Sequence, residues 1–288
     1  MIYLILSILC SVSVGVLLKI SKNKGTNIFQ MVSVNYLVAL ILCYNLFPID
    51  LSNIPTDLPW HILIPLSLLL PTIFVILFHS VNQVGIIKTD IAQRLSLVIP
   101  ILAAILIFQE QITLLKYLGL AFGLTAIYFT LNKKDLSAKA DKNSALFPLF
   151  VFIGFGVIDV FFKQIALYTT LPYTTSLFYV FAFSLLVSLL INVYKIFVKG
   201  AVLSLKNLYF GLPLGILNFL NIYFYLKAHT LFSDNPTTVF AMMNFGVILL
   251  GTLIGVVVFK ESLSKKNMFG LLLAIIAISL IASAQYLT

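Results

Sequence analysis

The stretch Phe108-Gln109-Glu110, with Gly119 nine residues after the glutamate, ends one apolar run of the sequence and begins the next. The same arrangement returns as Phe259-Lys260-Glu261 with Gly270, displaced by 151 positions. In both copies a polar break that contains a lysine separates the two apolar runs. A motif that recurs at one fixed offset predicts that the chain consists of two related halves.

The composition predicts that both halves lie in a membrane. Of the 288 residues, 61% are hydrophobic and 9% are charged, whereas about a quarter are charged in a soluble domain. The net charge of +9 comes from lysines scattered at the ends of the apolar runs. Since they form no basic patch with aromatic spacers, we expect no nucleic-acid partner. The two cysteines, Cys10 and Cys43, lie inside apolar runs and predict no disulfide framework.

A membrane-spanning helix needs about 20 mostly apolar residues, and the chain contains ten runs of this kind. They cover residues 2–20, 28–48, 60–83, 90–108, 113–131, 146–169, 172–197, 207–231, 236–259 and 267–286. The sequence therefore predicts an all-α integral membrane protein with ten transmembrane helices. We expect a first five-helix repeat at 1–131, a polar linker at 132–145 and a second five-helix repeat at 146–288.

Five spans in each half make the second half enter the membrane from the opposite side, so we expect inverted repeats. Proteins of this architecture bind a solute near the middle of the bilayer and expose it alternately to the two sides. The predicted class is therefore a multi-pass transporter of the inner (plasma) membrane. Its expected partners are a small-molecule solute and the lipid bilayer.

With these features the chain resembles the drug/metabolite transporter superfamily, specifically its EamA-like ten-helix branch. The resemblance rests on the segments 100–119 and 251–270, and on a lysine late in the first helix of each half, Lys19 and Lys163. The second segment departs from the family pattern, since Gly251 stands where the proline equivalent to Pro100 would align. The resemblance implies a carrier of small metabolites, often an exporter, with both termini in the cytoplasm.

The basic residues predict the opposite orientation. Fifteen of the 18 basic residues lie at or near the first, third, fifth, seventh and ninth connections between runs. The other side has Lys116, Lys163 and Lys227. The positive-inside rule then places both chain ends outside the cytoplasm. The lysine distribution and the resemblance thus give two orientations, and both stay open.

Ionisable side chains at membrane depth are costly and indicate function. Asp159 and Lys163 are four positions apart in the sixth run, so they share one helix face and can pair. They form either a neutralising ion pair or part of a site for a charged solute. Asp159 is also the first candidate if transport is coupled to protons.

The fourth and ninth runs carry further candidates for solute binding. The guanidinium group of Arg94 suits a carboxylate or phosphate, with an interfacial pair to Asp90 as the alternative. Gln93 and Asn244 are equivalent at the 151-residue offset. Two amides that face each other across a pseudo-two-fold axis suit a polar solute, although interhelical hydrogen bonding is the simpler use.

Polar stripes run along one face of several helices. They comprise Asn218, Asn221 and Tyr225 in the eighth run and Thr72, His79 and Asn82 in the third. Because these runs are equivalent in the two halves, we expect opposite walls of a solute cavity, with helix packing as the alternative. In the first run a polar or small residue recurs every four positions, at Ser7, Ser11, Gly15 and Lys19. These residues form either a wall of the cavity or a close-packed seam.

Glu110 and Glu261 end their apolar runs where we expect the boundary with water. Glu110 is followed by Lys116, and Glu261 lies next to Lys260 and close to Lys265. We therefore interpret both glutamates as interface anchors or gate charges rather than as solute ligands.

The sequence thus predicts a secondary transporter that exports a small polar or amphipathic metabolite, such as an amino acid, by alternating access. The alternatives are proton-coupled multidrug efflux and, less favoured, a membrane enzyme acting on a lipid. An enzyme would need clustered acid, base or nucleophilic groups, and the acids and the three histidines are scattered along the chain. We therefore expect no catalytic activity, no cofactor and no metal.

Overall fold

The computed structural model describes residues 1–49, 55, 57–84, 86–131, 146–260 and 263–287, and this part of the chain forms eleven helices. The helices are α1 (Ile2–Asn23), α2 (Ile28–Leu46), α3 (Trp60–Val84), α4 (Ile86–Leu95), α5 (Val98–Leu106), α6 (Leu114–Leu131), α7 (Leu146–Leu167), α8 (Tyr173–Lys199), α9 (Leu205–Leu231), α10 (Pro236–Val257) and α11 (Lys265–Leu287). Within the described ranges nine helical stretches are long and apolar enough to cross a membrane, and Leu114–Thr130 is a shorter apolar helix. The predicted all-α membrane fold is confirmed.

The fourth span is interrupted, where the sequence predicted one continuous run over 90–108. The break falls at Ser96 and Leu97, between α4 and α5. Pro100 has no N–H to donate to the Ser96 carbonyl, and its ring crowds that turn. In the second half Gly251 replaces the proline, and α10 continues unbroken. Discontinuous spans of this kind are typical of transporter binding sites.

The neighbours of each helix follow a two-fold exchange between the halves. α1 packs against α9 and α10, and its counterpart α7 packs against α3 and against α4 and α5. α2 packs against α8 and α9, α8 packs against α2 and α3, and the two fifth spans, α6 and α11, pack against each other. This pattern supports two related halves. The predicted linker 132–145 lies outside the described residues, so the repeat boundaries stay a prediction.

The backbone at the end of the fourth span is the same in both halves. Gln109 and Lys260, which are 151 positions apart, both have left-handed backbones with φ of 53° and 54°. The N–H of the phenylalanine before each of them reaches back five residues, to the carbonyl of Ala103 at 3.0 Å and of Ile254 at 3.4 Å. Both helices therefore end in the same kind of C-terminal turn. The repeat in the sequence is thus also a repeat in backbone conformation.

The motif glycines allow the two fifth spans to pack closely. A Cβ atom added at Gly119 would lie 2.6 Å from Ile281 Cγ1, and one at Gly270 would lie 2.8 Å from the backbone nitrogen of Thr130. Small residues at such positions let helix backbones approach each other in a membrane. α6 and α11 therefore cross at reciprocal glycines, one from each half.

Candidate functional site

The polar stripe of α9 lies between the first helices of the two halves. Ser7 of α1 donates its hydroxyl to Asn221 Oδ1 at 2.8 Å. On the same helix face, the Tyr225 hydroxyl donates to Asp159 Oδ1 of α7 at 3.0 Å. Asn218, one turn before Asn221, is half-buried. One face of α9 thus brings several of the predicted site residues into contact with equivalent helices of both halves.

His229 continues this stripe one turn beyond Tyr225, and the sequence reasoning missed it. Its ring centroid lies 4.7 Å from that of Tyr225 and 4.7 Å from that of Phe240. The side chain is fully buried, and in the described part of the chain neither ring nitrogen has a hydrogen-bond partner. The four-residue spacing from Asn221 to Tyr225 extends directly to His229, so continuing the stripe would have found it.

Lys163 does not pair with Asp159, so the predicted neutralising ion pair is wrong. The Lys163 side chain is fully buried, and its ammonium donates to the carbonyl of Ser233 at 2.8 Å and to that of His229 at 3.4 Å. Carbonyls at the end of a helix have no partner within the helix, and the helix dipole adds attraction for a cation there. Lys163 therefore caps α9, and the Asp159 carboxylate bonds to Tyr225 instead.

A buried ion pair joins the loop that follows α5 to the first turn of α6. Lys116 Nζ is 2.8 Å from Glu110 Oε1, and the two side chains have relative exposures of 0% and 1%. The second Glu110 oxygen accepts the backbone N–H of Thr237 at 2.7 Å, and Lys116 also donates to Asn235 Oδ1. Glu110 therefore caps the start of α10 with its side chain buried inside the protein, and its role as an interface anchor or gate charge stays a prediction.

These buried groups join the two halves at one end of the molecule. The Lys163 ammonium lies 6.0 Å from the ring centroid of Phe108, so the α9 cap and the ion pair are adjacent. We call this group the sealed corner. Its members are Phe108, Glu110, Lys116, Lys163, Asn235 and Thr237.

The repeat-equivalent residues at the opposite end are in a different state. Lys19 occupies in α1 the place that Lys163 occupies in α7, and its ammonium lies 3.8 Å from the ring centroid of Phe259, the counterpart of Phe108. Lys19 is exposed, whereas Lys163 is fully buried. We call Lys19 and Phe259 the open corner.

α11 carries an amide where α6 carries the buried cation. Asn267, 151 positions after Lys116, donates to the Thr130 carbonyl at 2.6 Å. The bond that Lys116 makes to α10 is thus replaced by a bond between the two fifth spans. Glu261, the counterpart of Glu110, lies outside the described residues, so its predicted gate role stays a prediction.

The face of α1 that carries Ser7 opens towards the open corner. Ser7 is fully buried against α9, whereas a Cβ atom added at Gly15, two turns later, would meet no atom within 4 Å. A close-packed seam is therefore wrong at Gly15. The alternative, a wall of the solute pathway that includes Lys19, stays a prediction.

Two candidates of the fourth and ninth spans bond within their own helices. Arg94 Nε lies 3.5 Å from Asp90 Oδ1, so the pair of the alternative interpretation is formed, and its place at the membrane interface stays a prediction. Asn244 Nδ2 donates to the Phe240 carbonyl of α10 at 3.1 Å. Gln93 is half-buried and is not hydrogen-bonded to Asn244, so a solute role for these two amides stays a prediction.

The predicted wall on α3 is described in part. The ring of His79 is exposed and stacks on that of Phe147, with centroids 5.7 Å apart. Thr72 donates to the Leu68 carbonyl of its own helix at 2.6 Å. The side chain of Asn82 lies outside what the structure describes.

The long apolar helices of the described residues are those of a multi-pass membrane protein. A family model described as the EamA-like transporter family matches residues 1–132. The chain belongs to the EamA-like transporter family, and the predicted resemblance is confirmed. Members of that family are transporters, which supports the expectation that the protein is not an enzyme.

Two individual proteins are similar over nearly the whole chain. An uncharacterized protein of Haemophilus influenzae (strain ATCC 51907 / DSM 11121 / KW20 / Rd) is 39% identical over 282 residues, which cover 96% of this chain and 95% of that protein. A solved crystal structure shares the fold with a TM-score of 0.74 at 14% identity, covering 99% of this chain and 96% of the other. At this identity the second likeness shows the fold alone.

Proposed function

We propose that the protein is a secondary transporter that exports a small polar or amphipathic metabolite, such as an amino acid, by alternating access. The observation that most supports this is the contrast between two repeat-equivalent lysines. Lys163 is buried in the sealed corner, and Lys19 is exposed in the open corner. Two inverted halves that rock against each other present one closed and one open end in each state.

In this mechanism the solute enters from the open corner and binds along the α9 stripe. Amide, hydroxyl and carboxylate groups there both donate and accept hydrogen bonds, as a polar solute requires. The Ser7–Asn221 bond joins α9 to the first half, so exchanging it for a bond to the solute loosens the contact between the halves. The Tyr225–Asp159 bond lies within the second half and supplies solute ligands only.

The second step opens the sealed corner. Rocking of one half against the other separates the Glu110–Lys116 pair from α10. Since Glu110 and Lys116 belong to the first half and bond to Thr237 and Asn235 of the second, these contacts must break for release on that side, whereas the cap of Lys163 on α9 lies within the second half. The open corner closes in the same motion.

The test is counterflow into proteoliposomes against a panel of natural amino acids and small metabolites. Asn221→Ala should lower uptake about tenfold, because losing a hydrogen-bonding group at such a site costs about 1–2 kcal/mol. The matched control is Asn45→Ala, since Asn45 is exposed and bonds to Ile41 of its own helix. Uptake no greater than in protein-free vesicles for every solute would overturn the proposal.

A further inference from the structure

The carboxylate of Asp159 lies well inside α7 and bonds to a phenol rather than to a cation in the described part of the chain. It accepts a hydrogen bond from the Tyr225 hydroxyl at 3.0 Å, and it is half-buried, so part of its surface is accessible. Among the residues that the structure describes, no lysine or arginine forms an ion pair with it. A carboxylate at membrane depth is costly unless a cation or a proton compensates it.

Two basic side chains of α7 and of the neighbouring α4 are bonded to other groups. Lys163, one turn further along α7, donates to the carbonyls at the end of α9. Arg94 belongs to α4, which packs against α7, and lies 3.5 Å from Asp90. Lys163 and Arg94 therefore do not compensate the negative charge of Asp159.

Two rings pack against Tyr225, the hydrogen-bond donor to Asp159. The Tyr225 ring packs edge-on against Phe162, with centroids 6.2 Å apart, and against His229 at 4.7 Å. The faces of such rings attract an ammonium group within about 6 Å. A carboxylate, a phenol and apolar ring surfaces together match an ammonium group carried by an apolar or amphipathic molecule.

The unsatisfied imidazole of His229 is an independent observation at the same place. It is fully buried, and among the described residues neither ring nitrogen has a hydrogen-bond partner, although buried polar groups in proteins nearly always have partners. A second polar group of a bound solute would satisfy it once the halves move.

We propose that Asp159 and Tyr225 bind the ammonium group of the transported solute, so that the substrate class is organic ammonium compounds, either amines or amino acids. This proposal rests on the transporter function above and narrows it. Asp159 supplies the charge-assisted hydrogen bond. The rings of Phe162 and Tyr225 contact the apolar part of the solute.

The test compares matched solutes in counterflow with the full-length protein in proteoliposomes. Phenylalanine, leucine and their amides keep the ammonium group, whereas N-acetylphenylalanine, N-acetylleucine and 3-phenylpropanoate lack it. We expect uptake of solutes from the first set and at least tenfold less of their counterparts. A wider panel of amines and their N-acetyl derivatives extends the comparison if neither parent amino acid is taken up.

Variants of Asp159 assign the preference to this carboxylate. Asp159→Asn should lower ammonium uptake about tenfold to a hundredfold, because charge-assisted hydrogen bonds contribute about 1.5–3 kcal/mol, and Asp159→Glu should retain more uptake than Asp159→Asn. Asp57→Asn, at an exposed acid before α3, should leave uptake unchanged. Each variant is first checked for an unchanged elution volume in size-exclusion chromatography.

Three outcomes overturn the assignment. Uptake of N-acetylated or anionic solutes in preference to amines would exclude an ammonium site while leaving the transporter function intact. Unchanged ammonium uptake by Asp159→Asn would place the site elsewhere. If the wild-type protein transports a solute that carries no ammonium group, and Asp159→Asn abolishes that transport, then Asp159 carries a proton instead. Only the absence of any uptake by the wild-type protein contradicts the transporter function itself.

Discussion

The sealed and open corners place a lysine beside a phenylalanine at repeat-equivalent positions, yet they differ in burial. Lys163 donates to three carbonyls at and just beyond the end of α9, whereas Lys19 is exposed over the ring of Phe259. The buried ion pair Glu110–Lys116 adds to the first corner, and at the second an amide, Asn267, stands in the place of the lysine. Related sequences thus adopt two states in one molecule, as alternating access requires.

The largest expected effect comes from removing one partner of the buried ion pair. Glu110→Ala leaves the Lys116 ammonium buried beside Asn235 alone, and such a loss costs about 3–5 kcal/mol. We expect a large drop in the thermal unfolding midpoint in detergent. At the other corner Asn267→Ala should cost about 1–3 kcal/mol, the penalty for an unsatisfied Thr130 carbonyl.

A double variant separates charge from packing at the sealed corner. Glu110→Gln with Lys116→Met removes both charges and should recover most of the stability lost in Glu110→Ala, because a buried pair is often replaceable as a whole. Equal losses in Glu110→Ala and Asn267→Ala would mean that the two corners do not differ in stability as we infer.

The next largest effect is the difference in stability between variants of the two repeat-equivalent lysines. Lys163→Met removes buried charged hydrogen bonds to the end of α9, each worth about 1.5–3 kcal/mol. Lys19→Met acts at an exposed side chain, where cation–π contacts and ion pairs are each worth about 1 kcal/mol or less. Thermal unfolding of the two variants measures the difference. A larger loss for Lys19→Met would contradict the assignment of the sealed corner.

Glycines at the repeat interface give a matched pair with a smaller effect. Gly270→Ala forces a methyl group against the backbone of Thr130 and should destabilise by about 1–3 kcal/mol. Gly251→Ala has no atom within 4 Å of the added group, so it should be neutral or stabilise by up to about 1 kcal/mol through helix propensity. Equal unfolding midpoints for the two variants would refute close packing of α6 on α11.

The smallest expected change in stability tests whether the turns that end α5 and α10 are equivalent. Gln109 and Lys260 are both exposed with left-handed backbones, a conformation that costs a side-chain-bearing residue about 1–2 kcal/mol. A glycine relieves that strain, but it loses more conformational entropy on folding, which lowers the stability by about 0.5–1 kcal/mol. We expect Gln109→Gly and Lys260→Gly to stabilise equally, by less than about 1 kcal/mol. Opposite signs would show that the two turns are not equivalent.

The fold was predictable because its signals are local and repeated. Phe-x-Glu at one offset, ten apolar runs and the odd number of spans per half led to the observed helices, whereas the break in the fourth span before Pro100 was not predicted. The stripe of Asn221 and Tyr225 was equally visible, since helical spacing alone defines a shared face.

The contacts of the charged groups were not predictable from local sequence. The partner of Lys163 is a set of carbonyls 66 to 70 positions away, and backbone carbonyls leave no signature in residue types. Glu110 is buried because α10 begins against it, with Thr237 127 positions later in the chain. Spacing of four residues therefore indicated a pair between Asp159 and Lys163 that tertiary packing replaced.

Which of the two corners faces the cytoplasm depends on the orientation of the chain in the membrane, for which there are two opposite predictions. The connections near Lys19 carry most of the basic residues, so the positive-inside rule makes the open corner cytoplasmic, whereas the resemblance places the chain ends, and with them the sealed corner, in the cytoplasm. An impermeant thiol reagent added to sealed vesicles of known orientation distinguishes the two.

The most direct test of two halves that open alternately is thiol accessibility at both corners of one protein, with Cys10 and Cys43 replaced by alanine. Gly15→Cys, on the exposed face of α1, should react with an impermeant maleimide, and Thr237→Cys, buried beside Glu110, should be protected. A saturating concentration of a transported solute should lower the reaction rate of the Gly15→Cys variant and raise that of the Thr237→Cys variant. The reagent should reach the two cysteines from opposite sides of the membrane. Reaction of both cysteines from one side, or rates that the solute leaves unchanged, would contradict the account.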